Sequence, residues 1–141
     1  MGPRIPKTKS KYNILLVDDY PPVRRVVKEI IETSPDLRVV GEVSDGRELL
    51  RFLEKSLPEM VLLDIAMPHL NGIEATRRVK EDYPGVKILI VTIQDCKQYM
   101  QRTMSMGAEG YLLKDDVVDE LLPAITSLRQ GKTYVSPRLL S

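Results

Sequence analysis

A chain of 141 residues can bury one continuous core but is too short for two ordinary domains. With 43% hydrophobic and 29% charged residues it has the composition of a soluble globular protein, outside the disordered and membrane classes. The net charge of +1 conceals four basic residues, Arg4, Lys7, Lys9 and Lys11, with no acid among them, so the rest of the chain is mildly acidic and has no electrostatic case for binding nucleic acid. No apolar run approaches the roughly 20 residues of a membrane helix, and the N-terminus is charged where a signal peptide is apolar. The single Cys96 cannot form an internal disulfide, which leaves the cytosol as the default compartment.

Residues 1–11 hold Pro3 and Pro6 among the basic side chains and show no apolar periodicity, so they read as a disordered leader. From Tyr12 onward, short β-branched runs alternate with stretches of helical period, the pattern of βα units on a parallel sheet. The first strand is Asn13 to Val17. A helix follows from Pro21 and Pro22, which suit an opening turn, with Val23, Val26, Val27, Ile30 and Ile31 on one stripe. The second strand is Leu37 to Val43 and the second helix about Gly46 to Lys55, with Leu49, Leu50 and Leu53 inward and Pro58 beyond its end.

Met60 to Leu63 is the third strand. The third helix runs from about Gly72 to Asp82 and stops before Pro84 and Gly85. Lys87 to Thr92 is the fourth strand, and the runs ILLV, MVLLD and ILIVT are apolar enough to lie at the centre of a covered sheet. The fourth helix, about Lys97 to Met106, offers Tyr99, Met100, Thr103, Met104 and Met106 but few branched anchors, and is expected to pack loosely. Its methionines suit either an adaptable partner surface or gap-filling in the core. Gly110 to Leu113 is the fifth strand. The last helix carries Val117, Val118, Leu121, Leu122, Ile125 and Leu128, with Asp115 or Asp116 as N-cap and Gly131 as terminator. Pro123 inside it removes one backbone hydrogen bond. Residues 133–141 read as the start of a linker.

Ligands of an open parallel sheet bind beyond the carboxyl ends of its strands. Asp18 and Asp19 end the first strand, Asp64 the third and Thr92 the fourth, and Lys114 follows the fifth, so all five converge on one edge. Carboxylates a few ångströms apart repel, and a divalent cation relieves the repulsion. Oxygen donors with open positions suit Mg²⁺. One His (His69, read as a solvated loop residue) and one Cys cannot build a zinc or iron cage. With Mg²⁺ held, one carboxylate can act as nucleophile on a phosphoryl donor, and Lys114 supplies positive charge for the transferred group. Each residue alone also has a plain reading, as a helix cap, a strand-end hydroxyl or a surface charge, and it is their joint placement that points to chemistry. A nucleotide or flavin binder of similar fold lacks its Gly-rich loop here, because DDYPP follows the first strand.

The strings LLVDDY, VLLDIAMPHLNGIEATRRVK, ILIVT and GAEGYLLKD resemble, in order and over roughly Lys11 to Lys132, the receiver domain of two-component response regulators. That resemblance implies a flavodoxin-like (βα)5 fold, a doubly wound five-stranded parallel sheet of order 2-1-3-4-5, and a receiver domain spanning residues 12–132. It implies Asp64 as phosphoacceptor, Mg²⁺ held by Asp19, Asp64 and the Ala66 backbone carbonyl, and Asp18 acting through metal-bound water. Lys114 and Thr92 would contact the phosphoryl group, and Thr92 with Tyr111 would form the switch pair. Met67 and Pro68 match the family's loop after the acceptor, and Gly72 its helix opening. Ile93 is bulky where the family usually has a small residue, making it a possible modulator of phosphorylation.

GYLLKD and LLPAITSLRQGKTYVSP look most like the NarL/FixJ subfamily, whose receiver precedes a LuxR-type helix-turn-helix domain. Nothing after Pro137 supplies that domain, so DNA contact is expected only through an absent C-terminal part. The implied partners are a sensor histidine kinase and a second copy on phosphorylation, with no membrane. The implied activity is a self-phosphorylating and autodephosphorylating switch rather than conventional enzyme turnover. The alternative is a degenerate receiver that takes no phosphate and serves as a docking or dimerisation module.

Overall fold

The apolar runs at the centre of the sequence become the centre of a single parallel sheet. The computed structural model describes residues 11–66 and 71–140. Along the chain lie β1 (Tyr12–Val17), α1 (Pro21–Glu32), β2 (Leu37–Val43), α2 (Gly46–Lys55), β3 (Met60–Leu63), α3 (Gly72–Asp82), β4 (Lys87–Thr92), α4 (Lys97–Ser105), β5 (Gly110–Leu113), α5 (Val117–Arg129) and β6 (Tyr134–Val135). A 3-10 turn, Lys114–Asp116, joins β5 to α5, and another, Pro137–Leu139, follows β6. The sheet order is β2-β1-β3-β4-β5-β6, with every pairing parallel. This is the flavodoxin-like doubly wound arrangement expected, with one strand more than the five read from the sequence. The leader residues before Lys11, and Met67, Pro68, His69 and Ser141, lie outside the described residues.

Each face of the sheet buries its own core. One comprises Leu15, Val17, Val61, Leu63, Ile88, Ile90 and Tyr111 under α2, α3 and α4, and the other Ile14, Leu16, Leu62, Leu89, Val91 and Leu112 under α1 and α5. Alternate residues of one strand enter opposite cores, so β1, β3, β4 and β5 must be apolar on both faces. Among the described residues no helix is long and apolar enough to cross a membrane.

The helix ends follow local chemistry. Pro21 and Pro22 open α1, where a missing N–H costs nothing. Asp45 caps α2 by accepting from the Glu48 N–H at 2.9 Å, and Asn71 caps α3 by accepting from the Glu74 N–H at 2.9 Å. At the end of α5, Gly131 adopts φ 80°, the Lys132 N–H donates to the Ser127 carbonyl and the Gly131 N–H to that of Leu128. Those two bonds make a Schellman cap.

Four expectations need revision. Val118, counted with the apolar residues of α5, is 75% exposed, because Val117, Leu121, Ala124, Ile125 and Leu128 already fill the face against the sheet. Val26, placed on the inward stripe of α1, is 44% exposed, because Val27 and Ile31 with partly buried Val23 and Ile30 already fill the space over the sheet. Asp116 stands at the N-cap position of α5 without a side-chain capping bond, and its carboxylate instead takes Arg138 Nη2 at 3.3 Å. Residues 134–139, read as linker, lie against the domain: β6 pairs with β5, Ser136 is fully buried and Leu139 is buried in the core cluster that also includes Tyr111. α4 is loosely packed as expected, since Thr103 is its one buried residue and Met100 and Met104 only lean on the core.

Candidate functional site

β1 and β3 are neighbours in register, so Val17 and Leu63 lie side by side and the acids that follow them meet. One carboxylate oxygen from each of Asp18, Asp19 and Asp64 lies within 4.8 Å of the others. Asp18 and Asp64 are 6% and 4% exposed, whereas Asp19 faces solvent. Two buried carboxylates beside a third make a cluster that is unfavourable unless positive charge enters it.

Lys114 supplies part of that charge. Its Nζ donates to Asp18 Oδ2 at 2.8 Å and to Asp64 Oδ2 at 3.0 Å, reaching across from the turn after β5. Burial alone would lower the Lys114 pKa, but the hydrogen bonds to the two aspartates outweigh it and hold the ammonium above its ordinary value. Burial raises Asp18, and the Lys114 hydrogen bond only partly opposes that rise. The other oxygens are held by backbone: Asp18 Oδ1 accepts from the Tyr20 N–H at 2.8 Å and Asp64 Oδ1 from the Ala66 N–H at 3.1 Å. Each carboxylate is thereby oriented from both sides.

Gly72 allows this geometry. An added Cβ there would lie 2.3 Å from Ile65 Cα and 2.4 Å from the Asp64 carbonyl oxygen, so α3 starts against the backbone of Asp64 only because residue 72 has no side chain.

Thr92 is fully buried at the end of β4 and its Oγ1 accepts from the Gln94 N–H at 3.2 Å. Tyr111 is also fully buried, and its hydroxyl donates to the Gln94 carbonyl at 2.7 Å. The two residues expected to act as a pair are therefore tied through one backbone unit. Burial, followed by nearby negative charge, pushes the Tyr111 hydroxyl well above its ordinary pKa, so it stays a donor. Ile93, next to Thr92, is 69% exposed.

The donor set fits Mg²⁺: three carboxylates offer only oxygens, and one ammonium leaves the cluster net negative. Asp18, Asp19, Asp64 and Lys114 come together as the sequence predicted, with Ala66 beside Asp64. Two contributors went unread. Gln94 acts through its backbone, which carries no residue signature. Arg24 donates from Nη1 to the Asp18 carbonyl and lies 3.5 Å from Glu42 Oε1, bracing the turn after β1.

Residues 14–126 match the family described as response regulator receiver domain. The transcriptional regulatory protein DegU of Brevibacillus brevis is 37% identical over 131 residues, covering 93% of this chain and 56% of that protein. The nitrate/nitrite response regulator protein NarL of Escherichia coli is 35% identical over 126 residues, covering 89% and 58%. A crystal structure of a LuxR-family two-component response regulator from an Aurantimonas species superimposes with a TM-score of 0.88 at 34% identity, covering 93% of this chain and 94% of that one. The chain thus spans little more than half the length of these two curated relatives. Sheet order, the acids at its carboxyl edge and a match running through most of the chain agree, and the chain belongs to the response regulator receiver domain family.

Proposed function

We propose that this receiver domain takes a phosphoryl group on Asp64 in a Mg²⁺-dependent reaction and changes its surface in response. The observation that carries the reading is the buried Asp64 carboxylate, held between the Lys114 ammonium and the Ala66 N–H and placed with Asp18 and Asp19. Asp19, Asp64 and the Ala66 carbonyl would hold the cation, with Asp18 acting through its water. When bound, the cation neutralises charge on the phosphoryl oxygens.

An Asp64 oxygen forms the new bond to phosphorus while the bond from phosphorus to the donor breaks, and the donor leaves with that electron pair. The product is a mixed anhydride of carboxyl and phosphate. Lys114 turns from the carboxylates to the new phosphoryl oxygens, and Thr92 offers its hydroxyl to another. Once Thr92 leaves the Gln94 N–H, the loop that also anchors Tyr111 is freed to shift, which transmits the change to the surface near α4. Ile93 would then modulate the rate from its place beside Thr92.

The donor would be a sensor histidine kinase or a small phosphodonor, and the response would be dimerisation or release of an output domain. Similarity to DegU and NarL supports a transcription regulator, with DNA contact lying outside residues 1–141. The receiver unit would occupy residues 12–132 after a basic leader, in the cytoplasm, with a linker from residue 133 whose first part folds onto the sheet edge.

Phosphoryl uptake from acetyl phosphate tests the reading. Uptake should need Mg²⁺, stop on chelation and disappear in Asp64→Asn, whereas uptake that persists in Asp64→Asn would place the acceptor elsewhere.

A further inference from the structure

The segment after α5 touches both flanks of Lys114. On one side, Ser136 Oγ accepts from the Leu113 N–H at 2.9 Å, and the Ser136 N–H donates to the Tyr111 carbonyl at 2.9 Å. On the other, Arg138 Nη2 lies 3.3 Å from Asp116 Oδ1 and 3.8 Å from Asp115 Oδ2. Leu139 anchors the segment in the core that holds Tyr111.

The Ser136 hydroxyl replaces a strand. The β5 to β6 ladder pairs Gly110 with Tyr134 and Tyr111 with Val135 and goes no further, so no β6 residue stands opposite Leu113. A buried N–H without a partner is costly, and the fully buried hydroxyl satisfies it. Ser136 therefore fixes where β5 ends, and the next residue is Lys114, whose ammonium must meet Asp18 and Asp64. Arg138 holds the turn that follows. It is the weaker contact because its side chain is half exposed.

We propose that Ser136, assisted by Arg138, is a positioning residue for phosphoryl transfer: it clamps the junction of β5 and α5 so that Lys114 is presented to the acids. The chain beyond α5 is thereby coupled to the site. This rests on the reading of Asp64 as acceptor and Lys114 as its phosphoryl contact.

The test compares the parent with Ser136→Ala, Arg138→Ala and the exposed-residue control Leu140→Ala. Two quantities are measured: the rate of phosphoryl uptake from acetyl phosphate with Mg²⁺, and the NMR resonance of Lys114 Cε, assigned by its absence from Lys114→Arg. Ser136→Ala should slow uptake by about threefold to tenfold, the change that one lost hydrogen bond carries. Arg138→Ala should slow it less, Leu140→Ala should match the parent, and the Lys114 resonance should move in the first two only. Parental rates in both Ser136→Ala and Arg138→Ala, or slowing with an unmoved Lys114 resonance, would overturn the proposal. Should Ser136→Ala not fold, Arg138→Ala carries the comparison, since an exposed side chain is not needed for folding. If the parent itself takes up no phosphate, the Asp64 reading fails, and the Lys114 resonance still decides whether the clamp exists.

Discussion

Replacing Gly72 by alanine adds one methyl group at the point where α3 meets the acceptor strand. That methyl would lie 2.3 Å from Ile65 Cα and 2.4 Å from the Asp64 carbonyl oxygen, both far inside the about 3.5–4.0 Å at which carbon contacts rest. Both neighbours are backbone atoms, so no side-chain rotation relieves the overlap and the start of α3 must move away from β3. Overpacking of this kind costs about 1–3 kcal/mol, and a backbone clash belongs at the upper end. The better helix propensity of alanine returns at most about 1 kcal/mol, leaving a net loss of about 2 kcal/mol. Measured by circular dichroism, the urea midpoint should fall by about 1 M at an unchanged slope. Because the same shift displaces Asp64, the tyrosine emission change on adding Mg²⁺, reported by Tyr20 beside the acid pair, should need more cation. A variant with the parental midpoint and parental Mg²⁺ response would refute this account of why residue 72 is glycine.

Two other perturbations separate packing from electrostatics. Lys80 Nζ is mostly buried and donates to Glu109 Oε1 and to the carbonyls of Pro84 and Val86, while Glu109 Oε2 takes the Ile88 N–H. Lys80→Met should destabilise by about 2 kcal/mol in urea, because it leaves a half-buried carboxylate without its cation; an unchanged midpoint would mean the pair contributes nothing net. At alkaline pH, burial followed by the Glu59 charge raises Tyr12 to about 12 from its ordinary 10.0, and Lys114 is raised because its bonds to the two aspartates outweigh burial. Raised values mean that the folded state keeps protons the unfolded state has already lost, so stability is full below pH about 10 and falls as pH climbs toward 12. Tyr12→Phe should flatten that fall, and a stability that rises across the interval would reverse the assignment.

The central strands were legible because burial on both faces leaves little room for polar residues: β3, β4 and β5 span the residues read for them and β1 gains only Tyr12, while β2, at the sheet edge with exposed Arg38 and Glu42, was legible from its valines alone. The acid cluster was legible for a related reason, since strand-end position in a parallel sheet fixes which residues share an edge. β6 was not legible. Two residues show no alternation, and what recruits them is a buried serine hydroxyl answering an N–H on β5, a contact 23 residues apart in sequence. Asp116 had the residue type of a cap, but Arg138 claimed its carboxylate, again across the fold. Val26 obeyed helical spacing yet lies outside, because a stripe of five is wider than the groove α1 fills.

Intact mass after incubation with a small phosphodonor, with and without Mg²⁺, on the parent and on Asp64→Asn tests the central claim most directly. The account predicts a gain of one phosphate, about 80 Da from the composition of the group, in the parent only and only with Mg²⁺. No gain in the parent, or an equal gain in Asp64→Asn, would contradict it, and the former would favour a receiver that acts by docking alone.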